Sequence, residues 1–199
     1  MENKFYEFVE GDEKIVAPGI VAKRIRALVA IPASLWAPAV QPGDLGGYIA
    51  VSKNLVSGNA WVYGDALVYG DAQVSGDARV YGNALVYGNA RVYGNAQVYG
   101  DAQVSGNARV SGNARVYGDA WVTEKCSRTP VLISGLRYAI TITDDHLRAG
   151  CQCHPFDKWP TFTTAEVAAM DGKDALRFYP QLLALLAAAV PSTTAEVSE

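Results

Sequence analysis

A valine stands at every sixth position from Val56 to Val122, and eleven copies of the triplet Gly-Asp/Asn-Ala lie between these valines. A period of six does not fit a helix, because 3.6 residues per turn would spread the valines around the helix surface. Glycine followed by Asp or Asn favours a bend, since these residue types tolerate left-handed backbone angles. Along the intervening segment Ala-x-Val-Tyr/Ser, the residue types alternate with the period of two that is typical of a β-strand. The pattern therefore predicts short strands joined by bends, with Ala and Val pointing inward and x and Tyr/Ser pointing outward.

Short strands of this kind predict a mainly β solenoid with three flat faces. The repeat resembles the hexapeptide-repeat left-handed parallel β-helix family, in which an aliphatic residue stands first and a small residue fifth; Val and Ala hold those places here. The resemblance implies the left-handed coil and three hexads per coil. Eleven copies would then make about 3.7 coils, about 18 Å long at about 4.8 Å per stacked strand.

The flanking segments predict caps at both ends of the solenoid. We expect an N-terminal β-rich cap over 1–49, the β-helix over 50–123, a C-terminal α+β cap of strands and helices over 124–190, and a disordered tail over 191–199. Strand-like pieces in the first cap cover 4–9, 14–16 and 20–30.

Within the C-terminal cap, residues 131–143 are strand-like and suggest a hairpin about Ser134-Gly135. A short helix is expected to open at Thr163-x-x-Glu166, a capping-box pattern. A second helix is expected over 173–189, bent or restarted at Pro180.

Motifs in both caps extend the resemblance to a group of hexapeptide-repeat proteins common in phage and prophage genomes. These motifs are Arg24-Ile25-Arg26-Ala27-Leu28, Gly43-Asp44-Leu45-Gly46-Gly47-Tyr48, Ile142-Thr143-Asp144 and Gly150-Cys151. The resemblance carries over no catalytic residue.

Charge and composition narrow the classes of function. The formal net charge is −3, with 17 Lys and Arg against 20 Asp and Glu, which argues against general nucleic-acid binding. The longest apolar run has nine residues, Leu182 to Val190, too short to span a bilayer. Residues 1–7 have no apolar core, so we expect no signal peptide. An odd count of three cysteines argues against a disulfide scaffold and favours a reducing, cytoplasmic location.

A stacking period of 18 residues sorts the outward side chains onto three faces. The first face carries Trp61, Arg79, Gln97 and Arg115 beside Tyr63, Tyr81, Tyr99 and Tyr117. The second face carries Leu67, Leu85, Gln103 and Trp121 beside Tyr69, Tyr87, Ser105 and Thr123. The third face carries Gln73, Arg91 and Arg109 beside Ser57, Ser75, Tyr93 and Ser111. The third face is interpreted as ordinary solvated surface.

The first two faces are too aromatic and apolar to be left bare. Stacked rings could shield the coil, lie under the caps or other subunits, or form a platform for a planar ligand. Candidate binding residues are Trp61, Tyr63, Arg79, Tyr81, Tyr99, Arg115 and Tyr117. The Asp or Asn residue that follows each repeat glycine is interpreted as a bend-forming residue without a binding role.

A homo-oligomer, trimer or dimer, is expected as well. The run 181–190 is apolar on every side, so a helix there is either deeply buried or an interface. Candidate subunit contacts are Leu67, Tyr69, Leu85 and Tyr87 on the second face and Leu182, Leu183 and Leu186 in the helix.

The densest chemical cluster lies in the C-terminal cap. Zinc could take His146, Cys151, Cys153 and His154, but the spacing is poor for a zinc site. The alternative is structural, with Cys151 a small buried hydrophobe in a strand. We expect no metal and no cofactor.

Three classes of function stay open. Many hexapeptide β-helices are acyltransferases, whose chemistry needs a general base, usually His. No His lies within 1–145, so the sequence favours a non-enzymatic scaffold that binds a protein or a nucleotide. The phage resemblance suggests host defence machinery or a signalling nucleotide as that partner. A structural assembly component is the third class, although caps at both ends argue against filament growth.

Overall fold

The hexads form two-residue parallel strands that stack on the strands 18 residues away. Arg91 and Val92 pair in register with Arg109 and Val110 on one side and with Gln73 and Val74 on the other. At the bends the repeat glycines take left-handed angles; Gly94, for example, has φ +69°. A Cβ there would lie 3.2 Å from the Gly112 nitrogen, so glycine is needed both for the turn and for the close stacking of coils. The predicted fold class is confirmed, with about four coils of parallel β-solenoid.

The computed structural model describes residues 5–34 and 37–189, without the side chain of residue 57. These residues form two compact units that divide between Pro130 and Val131. The predicted tail, 191–199, lies outside the described residues.

The unit that ends at Pro130 contains the solenoid and an N-terminal hairpin. Its strands are β1 (Tyr6–Ala17), β2 (Ile20–Ala27), β3 (Leu45–Ile49), β4 (Leu55–Gly58), β5 (Trp61–Val62), β6 (Leu67–Val68), β7 (Gln73–Gly76), β8 (Arg79–Val80), β9 (Leu85–Val86), β10 (Arg91–Val92), β11 (Gln97–Val98), β12 (Gln103–Val104), β13 (Arg109–Val110), β14 (Arg115–Val116), β15 (Trp121–Val122) and β16 (Lys125–Cys126). Strand order is β5-β8-β11-β14 on the first face, β1-β2-β3-β6-β9-β12-β15 on the second and β4-β7-β10-β13-β16 on the third.

The core of the coils is built from the repeat itself. Every repeat valine from Val62 to Val122 is fully buried, and so is every repeat alanine from Ala66 to Ala114. The predicted inward orientation of Val and Ala is therefore confirmed for these coils.

The inward orientation fails at the first valine of the series. Val56 is exposed, and Leu55 takes the buried position and pairs with Val74. The register between β4 and β7 shifts between Leu55 and Gly58, so the expected orientation of Val56 was wrong. A one-residue shift in a strand moves a side chain to the opposite face.

The alanine column sets a tight limit on side-chain volume inside the coil. We expect Ala90→Leu to lower the free energy of unfolding by about 1–3 kcal/mol, because three additional carbon atoms must enter a fully buried site. Thermal unfolding measures the change. Ser75→Leu, on the outward surface, is the control and should change the melting temperature little. Equal melting temperatures for Ala90→Leu and wild type would contradict the inward assignment.

The N-terminal hairpin is fastened to the solenoid by a network of charged and aromatic groups. Arg24 Nε donates to Asp12 Oδ2 at 2.6 Å, and Arg24 Nη2 donates to the Tyr48 hydroxyl at 2.6 Å. The Tyr48 hydroxyl donates to Asp12 Oδ1 at 2.9 Å, and Lys14 pairs with Asp65 at 2.7 Å. Arg24 and Tyr48 both belong to the motifs that extend the family resemblance, and here these two residues have a structural role.

The buried side chain of Asn54 links the backbone of the first two coils. A short 3-10 helix, Ser52–Asn54, ends at Asn54, whose side chain is fully buried. Asn54 Nδ2 donates to the carbonyls of Gly70 at 3.0 Å and Ala72 at 2.8 Å, while its Oδ1 accepts from the Val51 nitrogen at 2.9 Å. The side chain thus satisfies three backbone groups of the first two coils.

The unit that starts at Val131 combines an antiparallel sheet with a helix. Its elements are β17 (Val131–Ile133), β18 (Ile140–Ile142), β19 (His146–Ala149), β20 (Gln152–Pro155), a short 3-10 helix (Trp159–Thr161) and α1 (Thr164–Ala189). The sheet order is β17-β18-β19-β20, and β17 and β18 form the hairpin that Ser134-Gly135 predicted.

The capping box before α1 is also present. Glu166 accepts from the Thr163 backbone nitrogen at 2.8 Å, and the Glu166 nitrogen donates to Thr163 Oγ1 at 3.3 Å. Within the described part of α1, the backbone leaves helical angles at Asp171 and Gly172. The two helices predicted from the sequence are thus separated at Asp171–Gly172, with no such departure at Pro180.

The leucines of α1 pack inside their own unit. Leu182 and Leu186 are buried in a cluster with Trp159, Phe178 and Ile140, and Leu183 packs partly against it. Burial is therefore the alternative that applies to Leu182 and Leu186, whereas Leu183 and Leu185 are half-buried and the alanines of the run are exposed. The expectation for Cys151 was wrong, because its side chain is exposed at the turn between β19 and β20.

Candidate binding surface

Four tyrosines of the first face, Tyr63, Tyr81, Tyr99 and Tyr117, form a continuous line of rings, the tyrosine ladder. Tyr81 and Tyr99 stack with centroids 4.8 Å apart and planes 1° from parallel, and Tyr99 and Tyr117 stack at 5.5 Å. Tyr63 meets Tyr81 edge-on at 6.4 Å. The rings stack because the strands that carry them are spaced at about 4.8 Å, close to the stacking distance of aromatic rings.

The start of the first face is covered by the chain itself. Trp61 and Arg79 are each only 1% exposed. Arg79 donates to the carbonyls of Asn59 and of Pro32, the latter at 3.4 Å, and the Tyr63 hydroxyl donates to Pro38 O at 3.2 Å. A returning segment, whose bridge joins Ile31 to Val40, therefore lies over this end, and burial under a cap is the alternative that applies here.

The other end of the ladder is open. Tyr117 is 41% exposed, Tyr99 is half-buried, and the Arg115 guanidinium carbon lies 5.8 Å from the Tyr99 ring centre. This open end, made of Tyr99, Arg115 and Tyr117, presents ring edges, hydroxyls and one cation together. It is the part of the first face that a partner can reach.

Two of the ladder tyrosines, Tyr63 and Tyr81, are held in their protonated form at neutral pH. Burial raises the pKa of Tyr63 above its usual value and outweighs the opposing effect of Arg79. Burial likewise raises the pKa of Tyr81, and Tyr99 adds to the rise against the effect of Arg115. The nearby arginines therefore do not lower the pKa of these two hydroxyls enough for them to ionise and act as bases at neutral pH.

The second face carries another stacked pair. Tyr69 and Tyr87 lie 5.2 Å apart with planes 4° from parallel. Leu67 and Leu85 are half-buried beside them, while Trp121 is exposed and donates to Ser105 Oγ at 3.1 Å. This apolar strip remains available for a subunit contact.

On the third face, which the sequence pattern predicts to be ordinary solvated surface, several side chains surround a shallow cavity. Arg91 and Arg109 lie on neighbouring strands and, with Tyr93 and the side chains of Gln73 and Ser75, line a shallow cavity of about 240 Å³. The 18-residue stacking period of the sequence places both arginines in one column of this face. Neutral asparagine bends lie on both sides of this column.

The Cys/His cluster of the C-terminal unit does not converge. His146 and His154 lie on antiparallel strands, paired with Pro155 and Leu147 respectively, and so point to opposite sides of the sheet. His146 Nδ1 contacts Asp145 Oδ1 at 2.8 Å, and His154 Nε2 contacts Gln152 Oε1 at 3.1 Å. Within 5–34 and 37–189, no group of three or more His, Cys, Asp or Glu side chains is placed to hold a metal ion.

An apolar cavity of about 190 Å³ lies inside the same unit. Tyr138, Trp159, Phe178 and Leu182 form much of its wall, and Cys151 and Asp171 contribute polar atoms. Asp171 Oδ2 accepts from the Tyr138 hydroxyl at 2.6 Å, so the walls hold few uncommitted polar groups.

None of the helices in the described ranges combines the length and apolar character needed to cross a bilayer.

Comparison with known families matches the coils alone. The YdcK beta solenoid repeat matches residues 60–76, 72–88, 84–100, 102–118 and 108–128, together about a third of the chain. No curated protein matches the chain. The matched segments coincide with the strands and glycine bends of the coils, and the chain is therefore a β-solenoid repeat protein.

Proposed function

We propose that this chain is a non-enzymatic scaffold that binds a protein partner at the open end of the tyrosine ladder. The observation that carries the proposal is the exposure of Tyr117 beside the half-buried Tyr99 and the guanidinium of Arg115. Tyrosine and arginine are the residue types that dominate binding energy at protein interfaces. Stacking fixes the rings in advance, so little side-chain entropy would be lost when the partner binds.

The identity of the partner rests on the resemblance to phage and prophage proteins. On that basis we place the protein in the cytoplasm of an infected cell, where it antagonises host defence by binding a component of that machinery. A small signalling nucleotide is the other ligand in keeping with this role. No cofactor enters the proposal.

The chemistry of the coils supports a role without catalysis. Residues 57–122 contain no His, Cys, Lys or Glu, and burial keeps the pKa of Tyr63 and Tyr81 high. The hydrogen bond from Lys14 lowers the pKa of Asp65, which makes that carboxylate a poorer base. An acyltransferase would need a base near neutral pKa, and this set of side chains offers none.

The double variant Tyr99→Ser/Tyr117→Ser tests the proposed surface. Serine already occupies this repeat position at Ser75 and Ser111, so the coil should stay folded. Each lost ring should weaken partner binding by about 1–2 kcal/mol, together at least about tenfold. Capture from host lysate with mass spectrometry identifies the partner, and titration of the purified partner measures the loss.

Ile15→Ser is the control, because it removes an 83% exposed apolar side chain outside the ladder. Unchanged affinity in the double variant, with both variants folded, would contradict the proposed surface.

We also propose a homo-oligomer that associates through the second face. Leu67, Tyr69, Leu85 and Tyr87 form a half-buried apolar strip of at least two coils, the kind of surface that subunit contacts cover. Light scattering should give the mass of a trimer or dimer at micromolar concentration. Leu85→Gln should shift the protein toward monomer; glutamine is tolerated in this column at Gln103. A monomeric wild type would overturn the proposal.

A further inference from the structure

Two arginines on the third face stand side by side without counter-charges. Arg91 and Arg109 are in-register neighbours on β10 and β13, and both are exposed. Within the residues that the structure describes, neither guanidinium has an ion-pair or hydrogen-bond partner. Like charges on adjacent strands destabilise a sheet, so the fold itself gains nothing from this pair.

The bends that flank the two arginines are neutral. Asn89 donates to Asn107 at 3.3 Å on one side, and Asn95 donates to Asn113 at 3.2 Å on the other. The bend between the first and second faces carries Asp65, Asn83, Asp101 and Asp119 instead. In a chain of net charge −3, acidic bends are thus concentrated away from the arginines.

The nearest acids of the neighbouring coils have partners or lie beside another cation. Asp71 pairs with Lys53, and Asp77 Oδ1 accepts from Asn59 Nδ2 at 2.8 Å. Glu124 precedes Lys125, the residue in register with Arg109 on β16. Of these acids Asp71 is neutralised by Lys53, while Arg91, Arg109 and Lys125 bring three positive charges to adjacent strands of the third face.

Tyr93 gives the arginine pair an aromatic neighbour that stacks on no other ring within the described residues. Its own column holds Ser75 and Ser111 on the strands above and below, whereas each ladder tyrosine has a ring beside it. Tyr93 is 40% exposed and lines the same 240 Å³ cavity as the two guanidinium groups. A planar group can therefore stack on Tyr93 while it lies next to both cations.

We infer that Arg91, Arg109 and Tyr93 form a binding site for a small nucleotide with at least two phosphates. Two guanidinium groups at about one strand spacing, about 4.8 Å, can each hold one phosphate of a diphosphate. The base stacks on Tyr93. The two arginines, even with Lys125 beside Arg109, are too few to follow a polynucleotide backbone, which needs a longer basic track. This site lies on a different face from the tyrosine ladder and does not depend on the proposed protein partner.

Isothermal titration calorimetry with ADP and with inorganic pyrophosphate tests the site. Arg91→Gln and Arg109→Gln should each weaken ADP and pyrophosphate binding at least about tenfold; glutamine already stands in this column at Gln73. Tyr93→Ser should weaken ADP binding about tenfold and leave pyrophosphate binding within about twofold, because only the base uses the ring. Lys23→Gln, which removes an exposed positive charge from β2, is the charge-matched control and should change neither affinity.

These changes in affinity would support the site, and so would weaker ADP binding at higher salt concentration. Absence of ADP binding to the wild-type protein at millimolar concentration would overturn it. Equal affinity of wild type and the two arginine variants would also overturn it, as would tight binding of a single-stranded oligonucleotide without any binding of ADP.

Discussion

Replacing Asn54 by Asp should lower the free energy of unfolding by about 3–5 kcal/mol at neutral pH. The two side chains have nearly the same shape, but the Nδ2 group that donates to Gly70 O and Ala72 O becomes a carboxylate oxygen. Two donated hydrogen bonds would be replaced by repulsion between oxygens at a fully buried position. Denaturant unfolding followed by circular dichroism measures the difference from wild type.

The penalty should shrink in acid. Burial and the facing carbonyls raise the pKa of an aspartate at position 54 in the folded state, so the folded protein favours the protonated form. A raised folded-state pKa means that the loss of stability is smaller below the ordinary value of about 3.9, where the protonated carboxyl can still donate one of the two hydrogen bonds, and grows as the pH rises above it. Comparison with wild type at each pH isolates this effect.

Asn113→Asp is the matched control. Asn113 lies at an exposed bend, and its Oδ1 accepts from Asn95, a bond that aspartate can still accept. We expect a change within about 0.5 kcal/mol. Equal stability of the Asn54 and Asn113 variants would show that the buried amide does not hold the first coil.

Gly47→Ala should lower the free energy of unfolding by about 3 kcal/mol, the second of the two largest effects that we expect. A Cβ at Gly47 would lie 2.8 Å from the Ala66 carbonyl oxygen and 2.7 Å from Val62 Cγ1. One of these atoms belongs to the backbone of the solenoid, so relief requires a shift of the coil rather than a new rotamer. Thermal unfolding should show a lower melting temperature.

Gly11→Ala separates crowding from backbone strain. Gly11 has φ +77°, yet a Cβ there meets nothing within 4 Å. Its cost should be about 1–2 kcal/mol, the strain of a left-handed angle alone. If Gly11→Ala proved more destabilising than Gly47→Ala, close packing at Gly47 would not be the reason for its glycine.

The inward orientation of Val and Ala in the coils could be predicted from sequence because it depends only on residues within each hexad. Each hexad contains its own bend residue, its own small residue and its own branched residue, so no distant contact is needed to orient Val86 or Ala90. Val56 was assigned wrongly because its hexad belongs to the first coil, where the pairing of Leu55 with Val74 sets the register instead of the repeat.

Burial that depends on distant segments could not be predicted in the same way. Trp61 and Arg79 hold outward repeat positions but are buried, and Arg79 donates to Pro32 O of the returning segment. Nothing in the hexad encodes that contact. The apolar run of α1 allowed both burial and an interface, and only packing against Trp159 and Phe178 decides for Leu182 and Leu186.

The uniform interior of the coils has a consequence for how the gene can change length. Deletion or duplication of 18 codons within the repeat would replace each inward valine by another inward valine and would leave every column on its own face. The product would differ by one coil, about 4.8 Å. A six-codon change would also keep the interior intact, but it would rotate everything downstream by one face and separate the tyrosines of the ladder. Recombination within the repeat therefore yields foldable variants readily, while selection on the ladder favours steps of 18.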